Sequence, residues 1–214
     1  MISTVICDLD GLLADTEKHH MKAYQETLSV YGIELSDEEY ISHWIRNGFG
    51  IADFVKKYRL ELDPNQTHSQ KMVRYREKVT GQLEPMPGAM TFLGSIHGKK
   101  RLALASNSYR DNVELVLDRL GMADLFDAIL TRDDAGRTKP APDIFIRTAE
   151  MLGEPASSCI VIEDAQKGIE AAYAAGMKCI AVPNVYTVED DFSRATIVVA
   201  SLEDVTVDLI DSLS

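Results

Sequence analysis

Two aspartates one residue apart, Asp8-Leu9-Asp10, directly follow the apolar run Thr4-Val5-Ile6-Cys7, and Gly11 comes next. On an extended segment, side chains two apart face the same way, and a glycine lets the backbone turn at once. Further along, Ser106 and Asn107 follow the run Leu102–Ala105. Lys139-Pro140 lies in a polar loop after Ala128–Leu130, and Glu163-Asp164 follow Ile160–Ile162. If these segments converge, four carboxylates repel one another unless a cation sits among them. Hard oxygen ligands without His or Cys suit Mg²⁺, with Asp8, Asp10, Glu163 and Asp164 as the candidate metal set. A lysine and a hydroxyl beside them suit a phosphoryl group. A carboxylate nucleophile working with a metal and a lysine is the reaction centre these residue types can build. The phosphate loop GxxxxGK[ST], GxGxxG, GxSxG and HExxH are all missing from the chain.

Something must bring these segments together, and the apolar runs predict it. Six short runs read as strands: Thr4–Cys7, Arg101–Ala105, Ala128–Leu130, Cys159–Ile162, Lys178–Val182 and Ile197–Ala200. None alternates strictly, as expected of strands buried on both faces. Helical patterns separate most of them: Asn112–Leu120 before Gly121, Pro142–Leu152 before Gly153, and Ala165–Ala175 before Gly176. Strand alternating with helix predicts an α/β fold, a doubly wound parallel sheet. In such a sheet every strand delivers its C-terminal end to one edge, where ligands bind. Residues 14–83 break the rhythm and hold no convincing strand. They read as helices over Thr16–Tyr31, Asp37–Trp44, Ile51–Tyr58 and Thr67–Thr80, punctuated by Gly32, Gly48 and Pro64. The expected organisation is a core of residues 1–13 and 84–214, with an all-helical module of residues 14–83 inserted after the first strand. Glu84-Pro85-Met86-Pro87-Gly88 reads as a stiff linker.

The chain has 214 residues, 45% hydrophobic and 26% charged, which suits a globular protein with a sizeable core. Its formal net charge is −12, a field that opposes binding to nucleic acid or to an anionic membrane surface. The charge is unevenly spread. Residues 14–83 carry ten Lys and Arg against eleven Asp and Glu, and the remainder twelve against 23. Phosphorylated ligands should therefore meet repulsion from the core unless a metal and Lys139 reverse the sign locally. No stretch approaches the roughly 18 apolar residues of a membrane span. The start lacks the basic region of a signal or transit peptide. Cys7, Cys159 and Cys179 lie inside apolar runs without a CxxC pair, so reduced buried thiols in a cytoplasmic protein are the expectation.

The residues also carry a resemblance. Asp8-Leu9-Asp10-Gly11-Leu12-Leu13-Ala14-Asp15-Thr16-Glu17 resembles the opening motif of the haloacid dehalogenase superfamily. Ser106 fits its second motif, Lys139-Pro140-Ala141-Pro142-Asp143-Ile144-Phe145 its third, and Ile162-Glu163-Asp164-Ala165-Gln166-Lys167-Gly168-Ile169 its fourth. The order agrees, and the chain is most similar to the β-phosphoglucomutase-like branch, whose members carry a helical cap. The resemblance implies an Mg²⁺-dependent phosphatase of a small phosphorylated metabolite, a sugar or polyol phosphate, that works through an aspartyl-phosphate. It implies that Asp8 is the nucleophile and Asp10 the acid and then the base. Mg²⁺ is held by the Asp8 carboxylate, the Asp10 backbone carbonyl and Asp164, with Glu163 in support. Ser106 and the Asn107 amide hold phosphate oxygens, and Lys139 offsets charge. In the cap, His20 falls where mutases of this branch carry a histidine. Arg46 is the one arginine in a stretch comparable to their phosphate-gripping loop. Family members are often monomers, which sets that expectation here. Two alternatives remain open. One is a sugar-phosphate mutase of the same chemistry. The other is a non-enzymatic phospho-aspartate receiver domain, which the length and the helical insert oppose.

Overall fold

A computed structural model describes residues Met1–Ser214. By its internal contacts the chain divides into two units, Met1–Asp15 with Glu84–Ser214, and Thr16–Leu83. The first unit is built on six parallel strands: β1 Thr4–Cys7, β2 Arg101–Ala105, β3 Ala128–Leu130, β4 Cys159–Glu163, β5 Lys178–Ala181 and β6 Ile197–Val198. Their order is β3-β2-β1-β4-β5-β6. All four residues of β1 are buried, and Val5 pairs with Leu102 on one side and Ile160 on the other. Full burial on both faces explains why the runs are continuous rather than alternating. The fold is the α/β parallel sheet that the strand-and-helix rhythm predicts.

The strand order reverses at β1. The chain winds outward through β2 and β3, then returns to β4 and winds the other way. Such a reversal leaves a crevice beyond the C-terminal ends of the two adjacent strands. Asp8 continues the ladder by donating its N–H to the Ile162 carbonyl (3.1 Å), and Ser106 donates its own to Leu130 (3.0 Å). The residues just past β1 and β2 are therefore held at one edge by backbone hydrogen bonds before any side chain is considered.

Helices Arg110–Leu120, Asp143–Leu152 and Gln166–Ala174 lie where the periodicity predicts them, within two residues at each end. Two further helices, Ala89–Ile96 and Val207–Ser212, fall outside the predicted pattern. Both are short, at eight and six residues, and lie close to turn formers, so the spacing alone reads as loop. The linker is also less isolated than its composition suggests. Asp15 donates its N–H to Glu84 and Met86 donates to Leu13, so the outgoing and returning segments pair with each other. This pairing ties Ala14 and Asp15 to the sheet unit.

The second unit is helical throughout: Glu17–Ser29, Asp37–Tyr40, Ile51–Tyr58 and Pro64–Gln82, with a π-helical turn at Ile41–Arg46. Two expectations are corrected here. The helix expected over Asp37–Trp44 widens into the π-turn after Tyr40, around a cluster of rings in which Trp44 lies 4.6 Å from Tyr24 and 5.1 Å from Phe54. The last helix begins at Pro64 rather than Thr67. Proline is well accommodated in a first turn, where its missing N–H has no partner to lose. The Asp63 carboxylate caps the next two donors, Asn65 and Gln66.

Candidate active site

Lys139 is the hub of the sheet-edge cluster. Its buried ammonium donates to Asp8 Oδ1 (2.6 Å), Glu163 Oε1 (2.7 Å) and the Ala105 carbonyl (2.8 Å). Three donors meet three acceptors, so the charged group is fully satisfied. Asn107 holds the lysine's backbone from behind. Its Oδ1 accepts the Lys139 N–H (3.0 Å), and its Nδ2 donates to the Lys139 carbonyl (3.4 Å). The Asn107 side chain is thus committed to the lysine loop.

Glu163 is buried and uses both oxygens within the protein. Oε1 takes Lys139, and Oε2 accepts the backbone N–H groups of Asp164 and Ala165 (3.0 and 3.2 Å). Carboxylate oxygens of Asp8, Glu163 and Asp164 lie within 4.8 Å of one another. Three buried acids against one lysine leave surplus negative charge. Burial pushes the Asp8 carboxyl up to about 7, Lys139 pulls against that, and Glu163 and Asp10 add to the rise. Burial disfavours charge on Lys139 too, but Asp8 and Glu163 outweigh it and hold its pKa above the usual lysine range. The lysine therefore keeps its charge, and Asp8 is the group that gives way when no further cation is bound. This donor set, all oxygen and short of positive charge, fits a hard divalent cation.

Asp10 stands apart from that triad. Its Oδ2 accepts two hydroxyls, Ser106 Oγ (3.0 Å) and Ser108 Oγ (2.8 Å). The two aspartates therefore occupy different environments, one among charges and one among hydroxyls. Gly11 follows at φ 83°, in the left-handed region, with Asp164 and Asn184 packed against it. A Cβ there would lie 2.7 Å from Asp164 Oδ2 and 2.8 Å from Asn184 Nδ2. Asn184 Nδ2 donates to both Asp164 Oδ2 (2.7 Å) and the Gly11 carbonyl (3.0 Å), and so joins the two ends of the cluster.

Cys7, Cys159 and Cys179 are free and buried, and burial raises all three thiols well above their ordinary values. They take no part in the cluster. Asp8, Asp10, Ser106, Asn107, Lys139, Glu163 and Asp164 are all brought to this one edge.

His20 and Arg46 belong to the helical unit. His20 stacks flat on Tyr75, with centroids 3.9 Å apart, and its Nδ1 accepts from the buried Lys71 ammonium. Burial first, then the Lys71 charge, holds His20 well below the usual imidazole value, so it is neutral and its other nitrogen carries the hydrogen. Lys71 also lies 4.8 Å from the Tyr24 ring centroid and 5.0 Å from that of Tyr75. Arg46 is exposed at the end of the π-turn.

Sequence reasoning gave no role to Ser108, Asn184 or Lys71. Asn184 was within reach, because it comes soon after β5 just as Glu163-Asp164 close β4. Ser108 repeats the hydroxyl of Ser106 two residues on. Lys71 has no such signal, since a lysine within a polar helix reads as solvated.

Residues 5–182 match the family model of the haloacid dehalogenase-like hydrolases. The chain belongs to that family. It is 34% identical over 179 residues to the fructose-1-phosphate phosphatase YqaB of Escherichia coli, covering 83% of this chain and 95% of that protein. It is 31% identical over 208 residues to protein CbbY of Rhodobacter capsulatus, covering 91% of each. Among solved structures, CbbY from Rhodobacter sphaeroides in complex with phosphate superposes with a TM-score of 0.83 at 27% identity, over 95% of this chain and 96% of that one. β-Phosphoglucomutase from Clostridium difficile superposes with a TM-score of 0.81 at 26% identity, over 99% and 96%. This haloacid dehalogenase-like protein is accordingly an enzyme, a phosphoric monoester hydrolase. None of its helices is long and apolar enough to cross a membrane.

Proposed function

We propose that the enzyme hydrolyses the phosphate ester of a small sugar or polyol through an aspartyl-phosphate on Asp8. The observation that carries this reading is the separation of the two aspartates. Asp8 lies in the cluster with Lys139, Glu163 and Asp164, and Asp10 is held by the hydroxyls of Ser106 and Ser108. These different surroundings support Asp8 as nucleophile and Asp10 as acid and base. Asp8 attacks phosphorus, the ester P–O bond breaks, and Asp10 gives its proton to the departing alcohol. Asp10 then takes a proton from the water that attacks the acyl phosphate, and phosphate leaves with Asp8 restored. Lys139, whose three hydrogens are taken by Asp8, Glu163 and Ala105, offsets charge at the nucleophile and the phosphoryl group, and the Ser106 hydroxyl donates to a phosphoryl oxygen. Mg²⁺, held by Asp8, Asp164 and the Asp10 carbonyl, would balance charge between nucleophile and phosphoryl group. The likeness to YqaB and CbbY supports a sugar phosphate as substrate. CbbY has also been solved with xylulose-(1,5)bisphosphate.

The helical unit, residues 14–83 as read from the sequence, serves as the cap that selects the substrate. Its near balance of charge leaves it freer than the core to meet an anionic ligand. Phosphate release should be measured with Mg²⁺ on fructose 1-phosphate, glucose 1-phosphate and glycerol phosphate, with isomer formation followed on glucose 1-phosphate with and without a bisphosphate. Release without isomer is the expected result. Isomer without net phosphate would replace hydrolysis by the mutase reading.

Metal dependence follows a pH rule. The folded protein holds a proton on Asp8 up to about pH 7, whereas the unfolded chain loses it near 4. Without metal, this group makes stability fall as pH rises across that window, because the native state binds the extra proton. Mg²⁺ must displace that proton, so its binding strengthens with pH. The rise in Tm on adding Mg²⁺ is expected to be clearly larger at pH 8 than at pH 6. An equal rise at both would contradict it.

A further inference from the structure

Ser106 has two partners to serve and one hydrogen to offer. In the structure its hydroxyl donates to Asp10 Oδ2, since a carboxylate oxygen can only accept. The proposed mechanism asks the same hydroxyl to donate to a phosphoryl oxygen. Both bonds cannot stand at once, so phosphoryl binding must break the Ser106–Asp10 bond.

Ser108 faces no such conflict. Its hydroxyl donates to the same Oδ2 at 2.8 Å, shorter than the 3.0 Å of Ser106. Its backbone is anchored on both sides. Its N–H donates to Ser106 Oγ (3.0 Å), and its carbonyl accepts from Arg132 N–H (3.0 Å) in the loop after β3. When Ser106 turns to a ligand, its oxygen can still accept from the Ser108 N–H, so Ser108 keeps its place.

We propose that Ser108 is the positioning residue for Asp10: it retains Oδ2 when substrate takes the Ser106 hydroxyl, and so orients the acid for proton transfer to the leaving group. The inference rests on the acid role proposed for Asp10. In its acid form a carboxyl group has one oxygen that carries the proton and one that accepts. Holding Oδ2 as the acceptor leaves the proton on Oδ1, the oxygen that delivers it as the ester P–O bond breaks. Ser106 acts as a sensor in this arrangement, exchanging Asp10 for the phosphoryl group, and Ser108 as the part that does not move.

Leaving-group dependence tests this. A phenolate needs its proton far more than a 4-nitrophenolate does, whereas damage to the fold or the phosphate site slows both esters alike. With Mg²⁺ present, kcat/KM is measured for phenyl phosphate and 4-nitrophenyl phosphate in the wild type, Asp10→Asn, Ser108→Ala and Ser108→Thr. Ser108→Ala is expected to lose on the order of 10-fold or more on phenyl phosphate and less than about 3-fold on 4-nitrophenyl phosphate. Ser108→Thr, which keeps a hydroxyl, should restore the wild-type ratio. Ser108→Cys, a weak donor of similar size, should fall between and serves if the alanine variant folds poorly. Equal losses on both esters, no loss, or failure of threonine to rescue would overturn the proposal. Asp10→Asn separates the two levels. If it discriminates between the esters and Ser108→Ala does not, only the role of Ser108 fails. If Asp10→Asn does not discriminate, the acid assignment fails.

Discussion

Asp8→Asn is expected to abolish turnover, with kcat for any phosphate ester down by about 10⁴-fold or more and the fold retained. Asparagine has nearly the shape of aspartate and still offers Lys139 an oxygen at the position of Oδ1, 2.6 Å away in the native cluster. It is no nucleophile, and it cannot share a divalent cation as a carboxylate does. The stability change is the balance of two opposed effects. Lys139 loses one of two anionic partners, but Glu163 and Asp164 lose a like charge within a buried triad. Because burial already disfavours charge on Asp8, these nearly cancel, and a shift within about 1–2 kcal/mol is expected. Phosphate release and a thermal melt on the same preparation check both parts. Turnover within tenfold of wild type would remove Asp8 from the mechanism.

Gly168→Ala should be the most damaging small substitution away from the acids themselves. Gly168 lies in the first turn of helix Gln166–Ala174. Alanine in place of a helical glycine ordinarily stabilises by about 1 kcal/mol. Here the added Cβ would fall 1.8 Å from Glu163 Oε1 and 1.9 Å from Glu163 Cδ, so Glu163 must leave its site. That removes one carboxylate from Lys139 and the acceptor of the Asp164 and Ala165 N–H groups together. Breaking a buried ion pair from one side costs about 3–5 kcal/mol, so the clash outweighs the propensity gain and the net sign is destabilising. Activity should fall by about 100-fold or more, because Lys139 loses its fixed position relative to Asp8. Urea denaturation and phosphate release test this, and a variant more stable than the wild type would show that helix propensity governs the position instead.

Much of the sheet was legible because its strands are buried on both faces. Val5, Ile6, Ile160, Val161 and Ile162 have no polar side to offer, so their runs stand out in a polar chain. The site was legible for a related reason. Parallel strands all end at one edge, so the polar residues that terminate each apolar run had to meet. Asp8, Ser106 and Asp164 could be located as the polar residues just past a strand, and Asn184 holds a similar place beyond β5. The helical unit was harder. Its helix at Asp37–Tyr40 gives way to a π-turn because Trp44 and its ring neighbours must pack, a demand set by partners distant in sequence.

Residue types and strand ends thus determine which groups meet at the sheet edge: two aspartates two residues apart, a lysine, hydroxyls, and a set of acids that fits a hard cation. Tertiary structure decides how those groups share protons and charge. Lys139 commits its three hydrogens to Asp8, Glu163 and Ala105. Asn107 turns to the lysine's backbone, and Ser108 turns to Asp10. A hydrogen bond depends on tenths of an ångström between groups that in this site lie as much as 173 residues apart in the chain. Composition and spacing can bring such groups to the same edge, but only the packed fold determines which of them touch.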